Sequence, residues 1–214
     1  RALADSDWVL HFAARVGVGQ SMYEVADYTD VNGRGTAVLL EAMAERAQRR
    51  PFDRLVVASS MSIYGEGLYR TAEGEPVVTA ERTARQLKEG LWNPLDGAGG
   101  PLEPMATPET KPPSMRSVYA LSKYDQEQLC LIVGGAYGIP TVALRFFNVY
   151  GPHQALSNPY SGVLAIFAAR LLNARPPLIF EDGEQRRDFV YVGDVAEACR
   201  LALVSSAAVG RAFN

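Results

Sequence analysis

The chain has 214 residues, 21 Lys plus Arg against 24 Asp plus Glu, 48% hydrophobic and 21% charged residues, the balance of a globular domain and not of a disordered, collagenous or coiled-coil chain. A formal charge of -3 offers no cationic field to a phosphate backbone or an anionic lipid surface, so a small-molecule site is expected, with no nucleic acid and no membrane. No apolar run reaches the ~18 residues that cross a bilayer, since Arg170 interrupts the longest, VLAIFAARLL.

The chain opens at Arg1 without an initiating Met, and a short polar stretch runs straight into Trp8–Ala13, an apolar run bounded by charge that predicts a buried parallel strand. Val31–Arg49 then has helical spacing. Val38, Leu39, Met43 and Ala47 fall on one side, Glu41, Glu45 and Arg49 on the other, and Pro51 stops it. Leu55–Ser59 (LVVAS) predicts a second strand, Val118–Tyr137 an amphipathic helix stopped by Gly138 and Pro140, and Thr141–Phe147 a third strand. Helical patterns return at Gly162–Asn173 and Asp194–Val204, with Leu178–Phe180 between them as a short strand. Gly210–Asn214 reads as the start of another strand with no closing helix, so the chain is expected to be the middle of a larger protein. Alternation of this kind predicts an α/β fold whose ligands sit at the carboxyl ends of parallel strands.

One stretch breaks the rhythm. Residues 66–118 hold seven of the 13 prolines and six of the 19 glycines, with turn clusters at Asn93–Gly100 and Pro101–Pro113. This is an insertion, with one helix expected near Thr79–Lys88, and an excursion of such length in a compact domain is usually functional or disordered. Cys130 and Cys199 lie in helix-like apolar surroundings, as expected of reduced, buried thiols in a cytoplasmic protein.

Tyr119 and Lys123 stand four apart on the predicted helix and so share a face one turn apart. An ammonium within a few ångströms favours phenolate and lowers the tyrosine pKa from its usual ~10, which suits removal of a proton from an alcohol. Ser59 and Ser60 end the LVVAS strand, where a hydroxyl can face the same ligand.

HFAA (11–14), VNGRGT (31–36), ASSMSIYG (58–65), YALSK (119–123), LRFFNVYGP (144–152) and RRDFVYVGDVAEA (186–198) follow one another in this order. In this the chain resembles the extended short-chain dehydrogenases that act on nucleotide sugars. The resemblance implies a Rossmann-like doubly wound parallel sheet, with residues 1–150 (insertion 66–118) as part of the NAD-binding domain and 151–214 as part of a smaller sugar-nucleotide-binding region. It implies Tyr119 as acid/base, Lys123 as its electrostatic partner and a ligand of the nicotinamide ribose, and Ser60 as the hydroxyl that orients the sugar oxygen. It also assigns Phe12, Ala13, Ala14, Asn32, Ser59 and Phe146 to the cofactor, and Ser62, Asn148 and Arg187 to the substrate, the last two at the diphosphate. The glycine-rich fingerprint and its acidic residue are not in the chain, so NAD over NADP rests on the resemblance alone. Relatives that hold zinc in such an insertion use paired CxxC motifs; there is no cysteine between Glu66 and Val118, and no metal is expected.

Within the family the residues after Ser60 discriminate. 4,6-Dehydratases place an Asp and a Glu there, whereas this chain has Met61 and Ser62, which cannot serve as that acid/base pair. The expected reaction is therefore NAD-dependent 4-epimerisation of a dTDP- or UDP-linked hexose or 6-deoxyhexose through a 4-keto intermediate, with a 4-ketoreductase or a 4,6-dehydratase of the same family as the alternative. The resemblance further implies a homodimer through the helices at Val31–Arg49 and Val118–Tyr137.

Overall fold

A computed structural model describes residues 3–154 and 162–214. Arg1, and residues 155–161 of the expected sugar-nucleotide region, lie outside the described residues. In chain order the regular elements are β1 (Trp8–His11), α1 (Val18–Ser21), α2 (Val25–Tyr28), α3 (Gly35–Ala47), β2 (Arg54–Ser60), β3 (Leu68–Arg70), β4 (Pro76–Val77), α4 (Ala84–Lys88) and β5 (Glu103–Met105). They continue with α5 (Val118–Tyr137), β6 (Thr141–Phe146), β7 (Asn148–Tyr150), α6 (Val163–Leu172), β8 (Phe189–Tyr191), α7 (Val192–Val204) and β9 (Ala212–Phe213). They divide between two compact units, one of residues 1–63, 115–153 and 189–214, the other of residues 64–114 and 154–188.

The first unit is built on a parallel sheet of order β1-β2-β6-β9. Every residue of β2 is buried, as befits a central strand covered on both faces. Successive side chains take opposite faces. Leu55 and Val57 pack with Leu40 and Met43 of α3 and Cys130 of α5, while Val56 packs with Cys199 and Ala202 of α7. Helices thus lie on both faces, the doubly wound arrangement expected. Residues 189–214 pack in this unit, because α7 covers the sheet and β9 extends it beside β6.

Local chemistry sets the ends of α5. The Ser117 hydroxyl accepts from the Ala120 N–H at 3.1 Å, and Gly138 closes the helix in the left-handed region at φ 65°. Gly134 permits the close approach to β6: a Cβ there would stand 2.1 Å from Thr141 Oγ1. In α3 the buried face runs through Thr36, Leu40, Met43 and Ala44, while Val38, expected on the apolar side, is 55% exposed. Ahead of α3, residues Thr29–Arg34 form a π-helical turn that carries Asn32 inward to full burial.

The second unit has a three-stranded antiparallel sheet of order β4-β3-β5, with α4 and α6. The helix expected near Thr79–Lys88 is α4, which begins only at Ala84, where the Thr83 hydroxyl accepts from the Gln86 N–H. Leu178–Phe180 is not a strand: Pro176 and Pro177 withhold two N–H groups just before it, and its side chains are exposed. Within the unit Arg82 bridges Glu66 and Glu181, each at 3.0 Å, and the buried Lys111 ammonium donates to the Tyr64 carbonyl at 2.9 Å.

Candidate active site

The carboxyl edge of the parallel sheet brings Ser60 and Phe146 level, since they are partners in the β2–β6 register, and Phe12 follows directly after β1. The rings of Phe12 and Phe146 meet edge to face, with centroids 5.9 Å apart. Ala13 and Ala14 continue the same segment, Ala13 exposed and Ala14 half-buried. Tyr119 enters from the first turn of α5. Its N–H donates to the buried Ser21 hydroxyl at 3.0 Å, so a residue 98 positions away caps the turn that carries the phenol.

The Ser60 hydroxyl contacts Ser62 Oγ at 3.1 Å and accepts from the Ser62 N–H, and it lies near enough to the Tyr119 phenol to pull its pKa down. Met61 and Ser62 lie on a 3-10 turn directly after β2, and Asn148 of β7 donates to the Met61 sulfur at 3.6 Å. Burial raises the Tyr119 pKa, with the Ser60 hydroxyl opposing it. Lys123 is buried, and desolvation pushes its pKa down to about 8 against the opposing pull of Cys130 and Glu127. The expected lowering of the tyrosine by the lysine is not what shifts it: burial raises the phenol and Ser60 opposes, while the Lys123 ammonium is turned to Gln126 Oε1 at 2.7 Å.

Asn32 does not bond Lys123. Its Oδ1 accepts from the Arg15 N–H at 2.7 Å, and its Nδ2 donates to the Arg15 carbonyl and to Ser122 Oγ at 2.9 Å. It pins the chain that follows Phe12–Ala14 to the helix bearing Tyr119 and Lys123. Beneath this face Glu127, fully buried, is gripped bidentately by Arg145 of β6 at 2.7 and 3.0 Å. Arg187 belongs to the second unit, where it is exposed and its guanidinium donates to the Arg186 carbonyl at 2.7 Å.

His11, Thr36, Ser122 and Gln126 also furnish this site, and they were not singled out from the sequence. Three of them sit inside quoted motifs, and Gln126 stands three residues after Lys123 on the same helical face, which was the available signal. Among the described residues no group of three or more His, Cys, Asp or Glu could hold a metal ion, and no helix is long and apolar enough to cross a membrane.

A dinucleotide fits the residues present. Ser59 Oγ is buried with no hydrogen-bond partner among the described residues, the Phe12 and Phe146 rings form an apolar wall, and Lys123 spends one of its donors on Gln126. A doubly wound sheet with Ser60, Tyr119 and Lys123 gathered at its carboxyl edge defines the extended short-chain dehydrogenase class. Within that class the chain belongs to the NAD dependent epimerase/dehydratase family, whose sequence model matches residues 1–85 and 97–214.

The chain is 34% identical over 190 residues to a dTDP-L-rhamnose 4-epimerase of Burkholderia thailandensis, covering 89% of this chain and 51% of that protein. It is also 34% identical over 201 residues to a putative UDP-glucose 4-epimerase of Methanocaldococcus jannaschii, covering 93% of this chain and 52% of that protein. The chain thus spans about half the length of these curated relatives. Among solved structures it is similar to a UDP-glucuronic acid 4-epimerase from Bacillus cereus in complex with UDP-glucuronic acid and NAD, with a TM-score of 0.73, 27% identity, and coverage of 100% of this chain and 55% of that one.

Proposed function

We propose that this chain carries the acid/base and cofactor-facing groups of an NAD-dependent enzyme that epimerises C4 of a nucleotide-linked sugar through a transient 4-keto intermediate. The observation behind this reading is the nearness of the Ser60 hydroxyl to the Tyr119 phenol at the sheet's carboxyl edge, followed by Met61 and Ser62, which offer no acid/base pair for loss of water. In this reading Ser60 and Ser62 orient the C4 hydroxyl and Tyr119 takes its proton. Lys123, one turn along the same buried face, stabilises the phenolate that results. Bound beside Phe12, Ser59, Lys123 and Phe146, NAD would supply the reversible hydride exchange with C4. The proton on Tyr119 goes back to the same oxygen once the keto sugar has presented its other face, so there is no net redox change.

Phe12, Ala13, Ala14, Asn32, Ser59 and Phe146 are assigned to NAD, and Asn148 and Arg187 to the sugar nucleotide's diphosphate, which an arginine fork can grip bidentately. The family and the NAD complex of the Bacillus cereus relative support the cofactor; the named relatives support a dTDP- or UDP-sugar. A homodimer through α3 and α5 is supported by the groove between them, lined by Leu40, Ala44, Leu129, Val133 and Tyr137, and by exposed Ile132 and Leu121. The two buried free thiols support a reducing, cytoplasmic setting.

The test is NMR of products after incubating the full-length protein with a panel of dTDP- and UDP-sugars. A 4-epimer formed without consumption of added cofactor is expected. Stoichiometric cofactor use would mark a 4-ketoreductase, and a 4-keto-6-deoxy product a 4,6-dehydratase; either result overturns the epimerase.

A further inference from the structure

Gln126 is 1% exposed and lies at the centre of a polar lattice that joins α5, β1 and α3. Counting protons fixes its orientation. Thr36 has a single hydroxyl proton, and the Asn32 carbonyl at 2.6 Å takes it, since that oxygen can only accept. His11 Nε2, 2.7 Å from the same Thr36 oxygen, must then carry the hydrogen and donate. The 3.2 Å approach of Gln126 Nε2 to His11 Nε2 is thus a contact between two donors and not a hydrogen bond. The two amide hydrogens of Gln126 go instead to Thr36 Oγ1 at 2.8 Å and to the Ala13 carbonyl at 3.2 Å. That leaves Oε1 as the atom facing Lys123 Nζ, 2.7 Å away.

We propose that Gln126 is a positioning residue, which holds the Lys123 ammonium in place and ties it to the backbone of the Phe12–Ala14 segment. The role needs one acceptor toward the lysine and two donors away from it, and among side chains of this length only glutamine offers both. Glutamate would supply the acceptor and lose the donors; methionine fills the space and supplies neither. The inference rests on the reading of Lys123 as the partner of Tyr119, and it adds that the state of the lysine is set from behind by an uncharged side chain. The titratable groups facing Lys123 are His11 from β1 and Cys130 and Glu127 from α5, with Glu127 held by Arg145 of β6 and Tyr119 one turn before Lys123 on the same helix. His11 is pushed down to about 4 by burial and by Lys123, so it is neutral near pH 7, in keeping with a single hydrogen on Nε2.

The experiment reads Lys123 directly. Labelling the full-length protein with ε-13C-lysine and identifying the Lys123 signal by its loss in Lys123→Met gives the titration by NMR without substrate or turnover. Gln126→Met is expected to lower the Lys123 midpoint by about one pH unit, the scale of one lost charge-assisted hydrogen bond. Gln126→Glu is expected to raise it by a similar amount, about one unit, because a carboxylate favours the charged amine. A glutamine with a merely structural role would weaken folding in both variants without displacing the lysine in opposite directions. Midpoints that stay fixed, or that move the same way in both, overturn the proposal. Should Gln126→Met not fold, Gln126→Glu decides alone, and a midpoint not above that of the unaltered protein overturns it. An unchanged titration would leave the epimerase reading standing, and a failed epimerase assay would leave the titration result standing.

Discussion

In the sheet unit His11, Lys123, Glu127 and Arg145 are each exposed by 8% or less, and each has its partners inside the protein. In the second unit most charges meet at the surface. The side chains of Arg70 and Glu103 pair while 50% and 61% exposed, and Arg82 reaches Glu66 and Glu181 from a half-buried position. Lys111 departs from that pattern, its buried ammonium resting on the Tyr64 and Pro112 carbonyls. The difference is one of dielectric. Where water is excluded, burial lowers the pKa of both His11 and Lys123; where water is present, the same residue types interact weakly and mainly hold loops in place. Acid/base work is therefore expected of the sheet unit, and binding contacts are the larger share of what the second unit can offer.

The largest expected effect tests that division at its centre. Tyr119→Phe should lower kcat on the order of 10²- to 10⁴-fold while sugar-nucleotide affinity measured by calorimetry stays nearly unchanged, because the proton acceptor is lost and little contact area with it. Near-normal turnover would remove Tyr119 from the mechanism.

Stability gives the next contrast. Arg145→Met leaves Glu127 buried without its ion-pair partner and should cost about 3–5 kcal/mol in urea unfolding, whereas Arg70→Ala in the second unit should cost about 0.2–1 kcal/mol. Equal costs in the two units would erase the distinction drawn here.

A pH profile sharpens it. Burial holds Lys123 at about 8, so raising the pH through that value removes the charge that favours phenolate, and turnover should fall on the alkaline side. Lys123→Arg, whose guanidinium stays charged, should extend activity to higher pH if the variant still positions the group; an alkaline limb that does not move in any active Lys123 variant would place its origin elsewhere.

The smallest effect on the reaction is expected in the second unit. Arg187→Ala should weaken binding of dTDP or UDP by about 1.5–3 kcal/mol, the scale of one charge-assisted pair to phosphate, and leave kcat nearly as it was. Unaltered affinity would return Arg187 to the role of an ordinary surface residue.

Local patterns carried much of this protein. The apolar runs around Val56 and Val142 already require buried strands, the spacing of Tyr119 and Lys123 puts them on one helical face, and Ser60 stands at a strand end by its place in LVVASS. Those are relations between near neighbours, and periodicity records them. Three features were decided elsewhere. Leu178–Phe180 has a strand's composition, but a strand also needs a ladder partner, which lies outside its own residues. Val38 looks like core by spacing, yet which flank of α3 meets the sheet depends on the approach of α5, and Leu40 and Met43 take that side. Gln126 reads as an ordinary solvated helix residue until β1 and α3 close over it. Its role depends on His11 and Thr36, 115 and 90 positions away, and only the folded chain brings them within hydrogen-bonding distance.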